Sequence, residues 1–287
     1  METQVKLPNA PSGTEPRSLA QMPQVAPGFG PLRRILRQRW FVALRAFALF
    51  TLLWWAFFVW NGNPLQLPSP GRVVAALGSL VTSGEIFEHA LISTTRLLIA
   101  LGIAIALAVP LGFWMGRSRT AEAFIDPLIE LLRPISGIAW LPLAWFIFGV
   151  GDTLPVFIMV YVGFFPILLN TMAGVRQVDP KLIAAADTMG VGRRALLLHV
   201  LTPAALPTVM VGIRLAFAAS WAAIVAAELI GAPSGLGFAI EWYRQLLMTP
   251  KVYAFILVIG VVGYLCDLGL RALQRVLTPW SEGTGLQ

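Results

Sequence analysis

Long apolar stretches separated by short polar connections dominate the chain. Five runs are uninterrupted, at residues 40–60, 90–115, 154–172, 207–230 and 252–270. A sixth apolar region, at 121–148, is broken by Pro134. About 20 apolar residues in a helix cross a ~30 Å hydrocarbon core. Because the runs are continuous rather than alternating, and because lipid offers the backbone no hydrogen bonds, they predict helices rather than barrel strands. The pattern predicts an all-α integral membrane protein with about six transmembrane helices.

Composition agrees with this pattern. The chain is 57% hydrophobic and only 12% charged, whereas soluble domains carry about 25% charged residues. A net charge of +7 would suggest nucleic acid as the partner of a soluble protein, but here the bilayer is the expected surroundings. The single cysteine, Cys266, excludes an intramolecular disulfide, and the two histidines, His89 and His199, lie far apart. We therefore predict no metal site and no nucleic-acid partner.

The basic residues are distributed unevenly between the spans. Threading six spans from an inside N-terminus leaves only Arg72, Arg244 and Lys251 on the outer side. The inner side receives Arg33, Arg34, Arg37, Arg39, Arg117, Arg119, Arg176, Lys181, Arg193, Arg194, Arg271 and Arg275. This asymmetry agrees with the positive-inside rule. It predicts a multi-pass protein of the bacterial inner membrane with both termini in the cytoplasm.

The same pattern predicts where the chain divides. Residues 1–31 are rich in proline and predict a disordered cytoplasmic tail. The further predicted parts are a first transmembrane helix at 32–62, a periplasmic connection at 63–89, a core domain at 90–277 with a cytoplasmic loop at 176–203, and a cytoplasmic tail at 278–287. Basic residues before an apolar run also occur in signal peptides. The run at 40–60 is too long for one and lacks a small-x-small cleavage site, so we favour a transmembrane helix.

Two short polar segments carry signals for helix ends. Residues 82–85, Thr-Ser-Gly-Glu, have the spacing of a capping box and predict the start of a long helix. In the cytoplasmic loop, Asp179 is suited to an N-cap, Pro180 to the first helical position and Gly190 to a left-handed stop. The helix between them would be ~15 Å long, about half a bilayer, so it cannot span.

This short apolar helix needs a protein or lipid surface that shields its apolar side chains from water. Fixed to spans at both ends, it could receive a rigid-body push from a partner. Alternatively, it could simply lie on the bilayer surface. A second short apolar stretch, 195–201, follows it and is expected to end at Pro203 and Pro207.

The loop resembles the EAA loop of ABC importer permeases. The family pattern is Glu-Ala-Ala, three residues, Gly, nine residues, Ile, one residue, Leu-Pro. The chain matches it at Ala185, Ala186, Gly190 and Pro203. It departs from the pattern at Ala184, where the family has Glu, and at Thr202, where it has Leu. The resemblance implies an ATPase-coupling loop that contains Ala184, Ala185, Ala186, Asp187, Gly190, Val200, Pro203 and Pro207. Without the Glu, we expect close packing and a hinge at Ala185, Ala186 and Gly190 to carry the docking, rather than a salt bridge.

The resemblance extends over residues 65–275, to the nitrate/sulfonate/taurine branch of these permeases. It is carried by Leu67-Pro68-Ser69-Pro70, Ser83-Gly84-Glu85, His89, Arg96, Arg133-Pro134, Leu141-Pro142-Leu143, Phe165-Pro166-Ile167, Glu228 and Ser234-Gly235-Leu236-Gly237. It implies the MetI-like fold of type I ABC importers and a small anion, such as an aliphatic sulfonate, taurine or nitrate, as substrate. It also implies a second permease copy, two ABC ATPase subunits and a periplasmic substrate-binding protein.

The chain has no sequence for holding nucleotide. A phosphate-binding loop needs Gly-x-x-x-x-Gly-Lys followed by Ser or Thr, and neither Lys6, Lys181 nor Lys251 follows a glycine. We therefore predict that the chain is not an enzyme, binds no cofactor, and relies on ATP and Mg²⁺ held by a separate ATPase. The alternative is an ion-coupled secondary transporter that acts without an ATPase. The absence of an obvious internal repeat weighs against that alternative.

Charged side chains within spans are costly and therefore mark candidate sites. The candidates for a translocation pathway are Arg96, Arg133, Trp140, Arg214 and Glu228. Arginine recognises oxyanions with two parallel hydrogen bonds, which favours an anion path at Arg133, with Arg214 as a second contributor. Alternatively, the arginines pair with Asp126, Glu130 or Glu228, and Trp140 only packs the bundle.

Small residues recur on the fifth span. Two rows at helical spacing are Gly212, Ala216 and Ser220, and Ala219, Ala223 and Ala227. Such rows let helices approach closely. We expect packing within the bundle, with an interface between two permease copies as the alternative.

Overall fold

The computed structural model describes residues 39–280, which are helical apart from short connections. The helices are α1 Arg39–Asn61, α2 Pro70–Ser83, α3 Glu85–Arg117, α4 Arg119–Leu132, α5 Leu141–Phe148, α6 Thr153–Arg176, α7 Pro180–Thr188, α8 Arg193–Gly231, α9 Leu236–Gln245 and α10 Thr249–Leu277. A 3₁₀ turn, Gly137–Trp140, precedes α5, and a π-helical turn, Leu197–Leu201, lies within α8. The predicted tail at 1–31 and most of the tail at 278–287 lie outside the described residues.

The expected spans are present. Within residues 39–280, α1, α3, α6, α8 and α10 are long and apolar enough to cross a membrane. The α4 helix and the segment Gly137–Phe148 meet at 81° and make a sixth span if they count as one broken span. The prediction of about six membrane helices is confirmed.

The chain divides into two compact units between Leu53 and Trp54, within α1. The described part of the first unit, residues 39–53, is helical. Its apolar side chains are largely exposed, among them Phe47 and Leu49. An apolar exposed helix suits a lipid environment.

In the second unit, α6 packs between α3 and α8 over most of its length. Glycines mark both crossings. A Cβ added at Gly112 of α3 would lie 2.7 Å from Thr171 Cβ, and one added at Gly212 of α8 would lie 2.6 Å from Asn170 Cβ. Because an added Cβ would overlap with atoms of the neighbouring helix, only glycine allows the two helices to approach this closely.

The two rows of small residues on α8 pack inside the bundle. Gly212 and Ser220 face α6, and the Ser220 hydroxyl donates to Met159 O at 3.0 Å. Ala223 and Ala227 pack in a cluster with Leu154. The expected packing within the bundle is therefore confirmed for these positions.

Helices α2, α9 and α10 and the start of α3 form a second apolar core. The Tyr243 hydroxyl of α9 donates to Glu85 at the start of α3, at 2.5 Å. Burial, and then this hydrogen bond to a carboxylate, raise the pKa of Tyr243 to about 12. The phenol therefore stays protonated throughout the physiological pH range, and its hydrogen bond links α9 to α3.

The capping box predicted at residues 82–85 does not form. Thr82, the residue that would cap the box, lies in the last turn of α2, and its hydroxyl donates to Ser79 O at 2.9 Å. The long helix nevertheless begins where the segment predicts it. Gly84, with φ +83°, separates the two helices, and α3 begins at Glu85 without a side-chain cap.

The prediction that the stretch 195–201 ends at Pro203 and Pro207 is also wrong, because α8 runs through both prolines. Just before Pro203, the Thr202 backbone N–H bonds Leu197 O across the π turn, and the Thr202 hydroxyl donates to the same oxygen at 2.8 Å. A π turn widens the helix and makes room for the proline ring beside the preceding turn.

Candidate functional sites

The α7 helix has the ends that its sequence predicts. The Asp179 side chain accepts a hydrogen bond from Lys181 N at 2.8 Å. At the other end, Gly190 has φ +70°. Gly190 N donates to Asp187 O and Val191 N donates to Ala186 O, both at 3.1 Å. These two bonds form a Schellman motif, which fixes the direction in which the chain leaves the helix.

The two faces of α7 differ in what they contact. Ile183 and Ala186 pack against an apolar cluster that includes Leu196 and Leu201 at the start of α8. This contact holds α7 against the rest of the chain.

A neighbouring face of α7 is apolar but uncovered within the described residues. Leu182 is 51% and Met189 81% exposed, and Ala185 is also exposed. Their spacing of three and four residues places them on one face. The helix therefore presents an unpartnered apolar surface of Leu182, Ala185 and Met189, which we name the α7 outer face.

The residues expected in the coupling loop thus separate into two groups. Ala184, Ala185, Asp187 and Gly190 are exposed. Ala186 is only 6% exposed and packs against its own chain, and its expected part in docking stays a prediction. Val200 packs in the same inner cluster, and Pro203 and Pro207 are half-buried in α8.

Arg96 and Glu228, predicted as pathway residues, form a buried ion pair. Their side chains are 3% and 0% exposed, and Arg96 Nη1 lies 2.7 Å from Glu228 Oε1. Arg96 also donates to Asp152 and to both the hydroxyl and the carbonyl of Ser234. All its donors therefore point to protein groups. This is the pairing that the alternative reading of Arg96 anticipated.

Glu228 is held on its other side by Ser93 and by the backbone of Gly237. Ser93 Oγ donates to Glu228 at 2.8 Å, and Gly237 N donates to it at 2.9 Å. A buried charge is tolerated only when paired and hydrogen-bonded in this way. The cluster joins α3, α8, the turn at Asp152 and the loop before α9.

The glycines of the segment Ser234-Gly235-Leu236-Gly237 make room for this cluster. Gly235 has φ +106°, and a Cβ there would lie 2.3 Å from Glu228 Oε1. A Cβ at Gly237 would lie 2.6 Å from Val225 O. The segment therefore needs glycine both for its backbone conformation and for the closeness of the carboxylate.

Arg214, another predicted pathway residue, also has a counter-charge. Its Nε donates to Asp267 Oδ1 of α10 at 2.9 Å. Asp267 also accepts from Arg271. The structure thus supports the alternative that Arg214 is paired, although its partner, Asp267, is none of the three carboxylates considered from the sequence.

Arg133 differs from the other two arginines. It is exposed and lines a cavity of about 510 Å³ together with Ser136, Tyr161, Phe165 and Asn170. Within residues 39–280 it makes no ion pair, and neither Asp126 nor Glu130 lies within pairing distance. The predicted pairing of Arg133 with these carboxylates is therefore wrong in this structure.

The bend beside Arg133 is held by contacts to α6. Pro134 interrupts the helix, and the Tyr161 hydroxyl donates to Leu132 O at 2.6 Å. Trp140 packs on Tyr161 with ring centroids 5.6 Å apart. Trp140 thus supports the cavity from behind Tyr161 and is not among the residues that line it.

Sequence reasoning missed several of these residues. Ser93, Asp152 and Asn170 carry no charge pattern or motif that marks them, and each meets a partner or cavity brought close only by folding. Ser136 lies three residues after Arg133. Its closeness to the proline break is the sequence feature that could have identified it. Within the described chain, no group of three or more His, Cys, Asp or Glu side chains could hold a metal ion.

Comparison with known proteins agrees with this architecture. The taurine transport system permease protein TauC of Escherichia coli strain K12 is 36% identical over 259 residues, covering 86% of this chain and 94% of the relative. The bicarbonate transport system permease protein CmpB of Synechococcus elongatus is 34% identical over 192 residues, covering 66% of this chain and 69% of the relative.

A solved structure shares the fold. An inward-facing structure of the MetNI methionine ABC transporter aligns with a TM-score of 0.56 at 17% identity, covering 69% of this chain and 98% of that chain. The type I, MetI-like fold is therefore confirmed. The family model described as the inner membrane component of binding-protein-dependent transport systems matches residues 108–281. The chain belongs to this family of ABC transporter permeases.

Proposed function

We propose that this permease imports a small anion across the bacterial inner membrane, driven by ATP that a separate subunit hydrolyses. The observation that carries the proposal is the α7 outer face, an apolar surface on a loop between two spans in a chain of this family. The relatives named for taurine and for bicarbonate transport support a substrate with a sulfonate or carboxylate-type head.

The α7 helix is suited to transmit force. Its inner face is packed through Ala186 onto the start of α8, and Asp179 and Gly190 fix its two ends. A push on Leu182, Ala185 and Met189 would therefore move α6 and α8 together with α7. Position 184 carries Ala, so the contact with the ATPase would be apolar packing rather than an ion pair.

The assembly follows from this role. We expect two permease copies, two ABC ATPase subunits that bind ATP and Mg²⁺, and a periplasmic binding protein that delivers the substrate. The coupling loop and both termini would lie in the cytoplasm, which agrees with the basic residues Arg117, Arg119 and Arg176 at the helix ends on that side.

Substitution of Ala185 by Arg tests the coupling surface. We expect Ala185→Arg to abolish co-purification with the ATPase and ATP-dependent uptake, because a buried unpaired charge in the contact costs several kcal/mol. Gln177→Arg, an exposed position in the same loop outside α7, is the matched control and should retain both activities.

Two results would contradict the proposal. One is normal ATPase binding and uptake by Ala185→Arg. The other is uptake of substrate by the permease alone, in proteoliposomes without ATP, which would favour an ion-coupled carrier.

A further inference from the structure

The starting observation is a cation without a counter-charge. Within the described part of the chain, Arg96 pairs with Glu228 and Arg214 pairs with Asp267, whereas Arg133 has no acidic partner. Arg96 and Arg214 lie within candidate spans, and Arg133 lies at the break between α4 and the segment Gly137–Phe148. Arg133 therefore needs an explanation that the other two do not.

The position of Arg133 makes an unpaired charge energetically unfavourable there. It follows α4, whose 14 residues are ~21 Å long. With α4 as the first part of a broken span, Arg133 lies about two thirds of the way across a ~30 Å hydrocarbon core. A charge at such depth faces either an opposite charge or a water-filled path.

The cavity supplies this environment. Its polar lining includes Ser136 and Asn170 beside Arg133, and its apolar wall includes Phe165 and Leu169. One amide N–H of Asn170 is used by Pro166 O at 2.8 Å. The second amide N–H and the Ser136 hydroxyl have no other partner among the described residues, so they can donate to a ligand beside the guanidinium.

The cavity wall is held in place rather than being a flexible loop. A Cβ at Gly137 would lie 2.3 Å from Val162 Cγ2, so the chain after Arg133 is pressed against α6. Tyr161 bonds the carbonyls of Leu132 and Ile135 on either side of the break. The donors therefore keep a defined spacing, which a specific anion contact needs.

We propose that Arg133, Ser136 and Asn170 form a subsite that holds the charged head of the substrate, a small monoanionic sulfonate or carboxylate, during its passage. The inference rests on the proposed import of anions. The guanidinium offers two parallel N–H donors to an oxyanion. A single cation in a wet cavity binds weakly enough to release the anion, as a transport path requires.

The test uses the permease reconstituted in proteoliposomes with its ATPase and binding protein. The probes are radiolabelled taurine and ethanesulfonate, which carry a sulfonate, and bicarbonate, which carries a carboxylate-type head. Arg133→Ala should lower the uptake of a transported probe at least about tenfold, the loss expected for one charge-assisted hydrogen bond. Arg133→Lys should recover part of the rate, because it keeps the charge but loses the planar fork.

Two further measurements separate a subsite from a structural role. Arg133→Ala should retain co-purification with the ATPase and the basal rate of ATP hydrolysis. Arg72→Ala, which removes an exposed arginine at the start of α2, should leave uptake unchanged.

The outcomes distinguish the inference from the function on which it rests. If the wild-type assembly imports none of the three probes, the proposed substrate class fails and the subsite fails with it. If it imports one of them and Arg133→Ala imports it equally well, only the subsite is overturned. Loss of ATPase binding or of basal hydrolysis in both Arg133 variants would also overturn it, in favour of a structural role.

Discussion

At the scale of single residues, surroundings decide what a residue type does in this protein. Gly190 and Gly235 both have positive φ. Around Gly190 there is open space, whereas the Gly235 Cα faces the Glu228 carboxylate directly. Gly190 is needed only for the backbone conformation of the turn, whereas Gly235 also leaves space for the buried ion cluster.

This difference predicts unequal effects of the same substitution. Gly190→Ala should cost about 1 kcal/mol, the penalty for a left-handed alanine, and lower the melting temperature of the purified protein by a few degrees. Gly235→Ala should cost several kcal/mol more, because it displaces the carboxylate that neutralises Arg96. Thermal unfolding in detergent compares the two, and equal melting temperatures would contradict the steric account.

At the scale of helices, the packing of α6 depends on positions without side chains. Gly163 and Gly174 of α6, like Gly112 and Gly212 on its neighbours, have atoms of another helix within about 3 Å of where a Cβ would lie. Gly260 of α10, by contrast, has nothing within 4 Å. Only the first group can be explained by helix contact within this chain.

A matched pair of leucine substitutions tests this assignment. Gly212→Leu should force α8 away from α6 at Pro166 O and Asn170, costing ~1–3 kcal/mol or more as overpacking does. Gly260→Leu should be neutral or slightly stabilising, because glycine is a poor helix former. Melting temperatures measured side by side check the prediction, and a larger drop for Gly260→Leu would contradict it.

At the scale of the whole molecule, charge and helix order define which loops share a side. The turn at Asn63 and the loop carrying α7 are separated by three spans, if α4 and the segment Gly137–Phe148 count as one. An odd number of crossings puts them on opposite sides of the membrane. From the basic helix ends we expect the α7 loop to lie in the cytoplasm.

Cysteine labelling tests this orientation, because Cys266 is the single cysteine of the chain. In a Cys266→Ala background, Asn63→Cys should react with a membrane-impermeant maleimide in intact cells. Asp187→Cys should react only after the inner membrane is permeabilised. The reversed pattern would show that the α7 loop faces the periplasm and would remove its contact with a cytoplasmic ATPase.

Local features of this protein could be predicted from its amino-acid sequence. Continuous apolar runs placed the spans, because crossing a bilayer requires length and internal hydrogen bonding that can be read without a partner. Asp179, Pro180 and Gly190 marked α7 correctly, because helix ends depend on residues near in sequence. The segment 82–85 predicted the start of α3 correctly, but its capping box does not form because Thr82 lies inside the preceding helix and its hydroxyl donates to Ser79 O.

The ion-pair partners of the polar residues become visible only in the folded chain. Arg96 and Glu228 are 132 residues apart in sequence, as the hydrogen bond between them shows, so neither pattern nor spacing connects them. The same applies to the three adjacent alanines of α7: folding turned Ala186 inward and left Ala184 and Ala185 exposed. The pairing of a charge and the burial of a small side chain depend on neighbouring residues, and those neighbours come from distant parts of the chain. That is why the sequence indicated a permease with several candidate arginines, and the structure separated Arg133 from the rest.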